Sequence, residues 1–122
     1  IAEIEQLDAK ASEAIKAIKE NELSRPTVFC SNDRLAIGFL TAAFELGVRV
    51  GLRSDCDLRV AGHDNHPYSR FTCPTLTTMS HNYSAIAKHS VDTIMSLIES
   101  GERGSERNTK LFNGELIMRA SA

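Results

Sequence analysis

The sequence predicts an α/β protein: a mostly parallel sheet with helices on both faces. Short runs of β-branched and apolar residues, at 27–30, 58–62 and 76–79, alternate with longer stretches whose apolar residues recur at helical spacing. Two of the short runs end in polar clusters, Ser31-Asn32-Asp33 and His63-Asp64-Asn65-His66. The carboxyl ends of strands are where open α/β sheets place a ligand crevice. The order strand, helix, strand between 27 and 62 is that of a right-handed crossover.

Composition bounds the reading before any element is placed. The chain has 122 residues, 42% hydrophobic and 25% charged, enough for one domain and too few for two. Its 14 Lys and Arg are scattered and the net charge is -2, which leaves no electrostatic footprint for nucleic acid. No apolar run approaches the roughly 18 residues needed to cross a bilayer, and the start, Ile1-Ala2-Glu3-Ile4-Glu5, lacks signal-peptide regions. A cytoplasmic protein with no membrane partner is expected. Cys30, Cys56 and Cys73 form an odd set without CxxC spacing, which fits a reducing compartment. A first residue other than Met fits a piece of a longer protein.

In the first 23 residues, Ile4, Leu7, Ala11, Ile15 and Ile18 share a helical face, as one helix or as two divided near Asp8. Pro26 ends the helix by disfavouring helical backbone at Arg25. The run 27–30 lacks polar alternation, as in a strand buried on both faces, and makes Cys30 a core residue. After Asn32-Asp33, a helix through Leu46 carries apolar residues on more than one side, with Gly47 as its left-handed stop. One side covers the sheet, so Ile37, Leu40 and Phe44 are left to face another protein surface. Residues 58–62 form the second strand and 76–79 the third. A long helix follows from Tyr83 to Ser100, ended by Gly101. A polar loop is expected at 102–109, then an extended tail at 110–120 with a tight turn at Asn113-Gly114.

Six motifs in order then become recognisable: Phe29-Cys30-Ser31-Asn32-Asp33, Leu35-Ala36-Ile37-Gly38, Glu45-Leu46-Gly47-Val48-Arg49-Val50, Val60-Ala61-Gly62-His63-Asp64, Pro74-Thr75-Leu76-Thr77-Thr78 and Glu115-Leu116-Ile117-Met118-Arg119. Together they resemble the carboxyl-terminal half of the effector-binding core of LacI/GalR-type transcription regulators. The resemblance covers the chain from about residue 25. It implies one lobe of a periplasmic-binding-protein-like type I fold, incomplete in this chain. It also implies a small-molecule effector, sugar or nucleoside-like, held between two lobes. Operator DNA would be reached only through an amino-terminal helix-turn-helix domain absent here. The helix 83–100 would then pack on a first lobe. The chain departs from the family at His63, where an aromatic residue is usual, in a longer connection from Val50 to Gly62, and at Pro74-Thr75 in place of Pro-Pro.

By motif, the resemblance assigns effector contact to Asn32, Asp64 and Tyr83. An amide donates and accepts, a carboxylate accepts from hydroxyls or ring N–H groups, and an aromatic face covers the apolar side of a sugar or base. Asp33 is expected mainly to cap the helix. The helix bearing Ile37, Leu40 and Phe44, together with 68–73 and its Phe71, matches the family's subunit interface, so a homodimer is expected. His63, Asp64, His66 and Cys73 have the chemistry of zinc ligands but a loose HxxH spacing, so no metal and no other cofactor is expected. No nucleophile-and-base signature is present, so an enzyme is not expected. A sugar-binding protein of an ABC transporter is the alternative that shares the fold.

Overall fold

The computed structural model describes residues 2–101 and 109–122, and side chains from residue 10 onward. Ile4 and Leu7 are thus outside the described side chains, and residues 102–108 of the expected polar loop lie outside the described residues. The elements run α1 (Ala2–Glu20), β1 (Thr27–Phe29), α2 (Asp33–Glu45), β2 (Arg59–His63), a 3-10 helix (Pro67–Arg70), β3 (Thr77–Ser80), α3 (Tyr83–Ser100) and β4 (Glu115–Ile117). The chain divides into two units, one of residues 1–80 and 116–122, the other of 81–115.

In the larger unit the strands lie in the order β1-β2-β3-β4. β1 pairs parallel with β2 (Phe29 opposite Ala61) and β2 parallel with β3 (Ala61 opposite Thr77). α1 is one helix, without a break at Asp8. Helical periodicity brings Ala11 and Ile15 of α1 and Ala36, Phe39, Leu40, Ala42 and Ala43 of α2 into one core with Val48, Leu58, Val60 and Leu76. Small residues at 36, 42 and 43 let α2 approach both α1 and β2 closely. Gly47, at φ +67, supplies the left-handed residue after α2.

Where β2 and β3 have not yet begun to pair, the tail fills the gap. Ser121, fully buried, donates from Oγ to Val60 O (2.6 Å) and accepts there from Thr77 N (2.8 Å), while its carbonyl accepts from Val60 N (2.9 Å). One serine satisfies three backbone groups that would otherwise be buried unpaired. At the same end, an isolated parallel bridge joins Val50 and Leu58. The connection between them is braced at its surface: the Asp57 carboxylate accepts from Arg49 N (2.8 Å) and the Arg49 guanidinium (3.3 Å), which holds it below its usual range. The tail is extended, as expected, but no turn forms at Asn113-Gly114. That dipeptide makes a tight turn only where two strands pair across it, and here a single strand, β4, begins at Glu115.

In the smaller unit, Asn82 caps α3 by accepting from Ala85 N (3.0 Å), and Gly101 ends it at φ +65. No described residue of α3 is buried. Val91, Ile94, Met95 and Ile98 are 49–68% exposed, an apolar stripe at helical spacing. Phe112 of the return segment meets His89 at a ring distance of 5.8 Å.

Candidate functional site

Because β1 and β2 are adjacent and parallel, the residues that follow them emerge side by side. Asn32 lies three residues beyond β1 and Asp64 one beyond β2. They line a pocket of about 220 Å³ together with Asp33, Arg34 and His66. The structure therefore brings Asn32 and Asp64 together.

The helix start is organised differently from the expectation. Asn32, not Asp33, is the cap: its Oδ1 accepts from Leu35 N (2.9 Å). Asp33 is the first helical residue, 1% exposed, and its carboxylate reaches across the sheet ends. Oδ1 accepts from Thr78 Oγ1 (2.5 Å) and Oδ2 from His66 N (2.7 Å). A β-carbon at Gly62 would collide with Asp33 Oδ1, so the glycine makes room for the carboxylate. Extended backbone at Asn32 (φ -155, ψ 166) gives the cap its geometry and turns the next side chain inward, which is why the two roles fall in this order.

Asp64 and Asn65 both have positive φ, 100° and 48°. Such backbone is strained for side-chain-bearing residues and persists only where neighbours fix it. Here Asp64 N donates to Met79 O (2.9 Å) and Asn65 N to Thr78 Oγ1 (3.2 Å). The Asp64 carboxylate is 47% exposed, and its Oδ1 lies 3.1 Å from His63 Nδ1. His63, at the position where the family usually has an aromatic residue, sets its ring edge-on to Phe29 at 6.4 Å. It keeps part of an aromatic's packing and adds a polar edge beside Asp64.

Tyr83 opens α3 in the smaller unit, 53% exposed, with its ring edge-on to His81 at 5.7 Å. Asp33, Arg34 and His66 were not among the expected pocket residues. Arg34 follows directly from the strand-to-helix junction. His66 was legible only as part of the polar cluster after β2, and the reach of Asp33 to Thr78, 45 residues away, leaves no local signal. His66 Nδ1 accepts from Tyr68 N (3.3 Å), capping the 3-10 helix, and its ring packs on Tyr68 at 5.0 Å.

Cys30, which follows β1 at this end of the sheet, is not an activated thiol. Burial pushes the Cys30 thiol up to about 11, with the Asp33 charge adding to the effect, so it stays protonated at neutral pH.

On the outer side, Phe44 is 83% and Phe71 80% exposed, whereas Ile37 is half-buried and packs against the core. Leu40 departs from the expected outward position. At 6% exposure it belongs to the core, because residues 36, 40 and 43 share one helical face. It still borders a groove of about 400 Å³ shared with Phe44, Val48, Val50, Cys73 and Pro74.

The model of the periplasmic binding protein-like domain matches residues 2–122. The HTH-type transcriptional repressor PurR of Pasteurella multocida is 32% identical over 109 residues, 89% of this chain and 31% of the repressor. The chain thus spans about a third of that relative's length. A putative LacI-family transcriptional regulator from Sanguibacter keddieii superposes with a TM-score of 0.74 at 27% identity, over 93% of this chain and 42% of that one. A LacI-family regulator from Lactobacillus casei, solved with bound sucrose, superposes with a TM-score of 0.56 at 26% identity, over 79% of this chain and 33% of that one. Parallel sheet and family match agree: the chain belongs to the periplasmic binding protein-like family and corresponds to part of a LacI/GalR-type regulator.

Proposed function

We propose that this chain is the effector-sensing and dimerising portion of a DNA-binding transcription regulator, and that it binds a small polar molecule, sugar or nucleoside-like, against Asn32 and Asp64. The observation that carries the reading is the placing of these two residues in one pocket at the carboxyl ends of adjacent parallel strands. The Asp64 carboxylate accepts hydroxyl or ring N–H groups. Asn32, whose Oδ1 is occupied by the helix cap, offers its amide N–H to the ligand. The pocket is one wall of a cleft, and the first lobe of the whole regulator is the other. Ligand binding favours one arrangement of the lobes, and operator affinity follows that shift. The protein acts without catalysis, in the cytoplasm, and reaches DNA through a helix-turn-helix domain outside this chain.

Phe44 and Phe71 form the subunit interface, with Ile37 and the edge of Leu40 beneath them. Phe44, 83% exposed beside an apolar groove, and Phe71, 80% exposed, support this assignment. The stripe of α3 from Val91 to Ile98 packs on the first lobe, which gives its exposed apolar residues a cover. Repressor relatives weigh for a regulator over a transporter's sugar-binding protein. Calorimetry of the whole regulator against glucose, sucrose, adenosine and adenine tests the reading. One of these classes should bind, and Asp64→Ala should weaken that binding by about 10- to 100-fold, the value of a hydrogen bond to a charged group. Unchanged affinity in Asp64→Ala would remove the assignment.

A further inference from the structure

The motif ending in Arg119 has so far no part in the site. Its guanidinium is half-buried and, among the described residues, has no carboxylate within ion-pair distance. It donates instead to three neutral oxygens on three segments: Asn65 Oδ1 (2.9 Å), Ser69 Oγ (2.9 Å) and Leu76 O (2.6 Å). Its own backbone N–H is fixed by Thr77 Oγ1 (2.8 Å). A planar fork with five donors suits this task, because one rigid group can hold several acceptors at set angles.

The first acceptor belongs to the residue after Asp64, within the left-handed pair at φ 100° and 48°. Such backbone relaxes unless its neighbours over-determine it. Asn65 is tied by its backbone to Thr78 Oγ1, and by its side chain to Arg119 on one atom and Ser80 Oγ (3.4 Å) on the other. The Arg119 bond is the shortest of the three and involves a charged donor, which makes it the strongest.

We propose that Arg119 is a positioning residue for the effector site: through Asn65 it holds the backbone that aims the Asp64 carboxylate into the pocket. This rests on the proposed role of Asp64. Through Ser69, 0% exposed, the same guanidinium also fixes the 3-10 helix that leads into Phe71, so the strand-end loop and the exposed aromatic share one anchor.

Amide hydrogen exchange in the intact protein tests the positioning without any ligand. Arg119→Gln and Asn65→Ala are each expected to raise exchange at the Asn65 and His66 amides about tenfold or more, while Cys30, whose N–H donates to Ala61 O in the sheet, keeps its rate. The double variant should exchange no faster at the loop than Arg119→Gln alone, and Asn65→Asp, which keeps an acceptor for the guanidinium, should retain slow exchange. Equal acceleration at Cys30, or effects of the two substitutions that multiply, would overturn the proposal, because both mark general loosening. Asn65→Ala guards against Arg119→Gln failing to fold, and an unchanged loop in Asn65→Ala overturns the proposal by itself.

A second arm reads affinity for whichever of glucose, sucrose, adenosine or adenine binds the parent protein. A tenfold loss in Arg119→Gln and in Asn65→Ala is expected. If Asp64→Ala abolishes binding and these two leave it intact, the positioning role fails while the site stands. If Asp64→Ala leaves binding intact, the site assignment fails and takes the positioning role with it.

Discussion

The two ends of the parallel sheet differ in what their polar groups do. At the amino end, the stretch 49–57 carries Arg49, Arg53, Asp55 and Asp57, which pair with one another at the surface, with side chains 47–84% exposed. Arg25 joins them by donating to Leu52 O and Arg53 O, both at 2.9 Å. A concavity of about 460 Å³ lies there, bordered by Ile15, Ile18, Lys19, Arg25 and Asp57. At the carboxyl end the pocket is half that volume. Yet that end contains a carboxylate 1% exposed and two consecutive left-handed residues. Volume follows from where loops happen to stand apart. Buried charge and strained backbone cost stability, and persist only where the surroundings hold them in place. The smaller pocket is therefore the better candidate site.

The largest effects are expected at the buried groups. Asp33→Ala leaves the Thr78 hydroxyl and the His66 amide without their acceptor, and is expected to cost about 3 kcal/mol or more of unfolding free energy in denaturant titration. At the amino end, Ser121→Ala removes the partner of Thr77 N and of Val60 O and should cost on the order of 2–4 kcal/mol. A loss below 1 kcal/mol in either would mean that the network is incidental. Phe44→Glu should leave the fold intact, since the ring is 83% exposed, while weakening self-association of the whole regulator by about 2 kcal/mol, the scale of an interface hot spot. Sedimentation at graded concentration reads this directly.

Much of this architecture was legible because it is local. The run 27–30 and the Asn32-Asp33 break announced a strand entering a helix, and the helix Tyr83–Ser100 follows from its periodicity and Gly101. Strands 58–62 and 76–79 were placed one residue early at each end. Side-chain reach was not legible. Nothing near Asp33 in sequence says that it turns inward to Thr78 while Asn32 takes the cap, nor that Ser121 inserts between β2 and β3. Both depend on where the strand ends stop, which tertiary packing decides. Leu40 was misplaced for a related reason. An apolar residue between two faces of a helix goes to whichever side the sheet fills, and the spacing alone leaves that open.

Smaller effects sharpen the contrast. Cys30 is raised from its ordinary 9.0 to about 11 in the folded protein. The unfolded chain therefore gives up this proton first, so the group's contribution to stability is intact below pH 9 and is lost as pH rises from 9 to 11. The difference in stability between the parent protein and Cys30→Ala should narrow over that interval, measured by urea unfolding at each pH. At the amino end, Asp55→Asn should leave the melting temperature without resolvable change, as befits an exposed ion pair.

Whether the polar carboxyl end of the sheet is the ligand wall can be read by amide hydrogen exchange of the whole regulator with and without the compound selected by calorimetry. Protection is expected at 32–36 and 63–66, with 47–58 unchanged. Protection confined to 19–25 and 47–58, around the larger concavity, would contradict it.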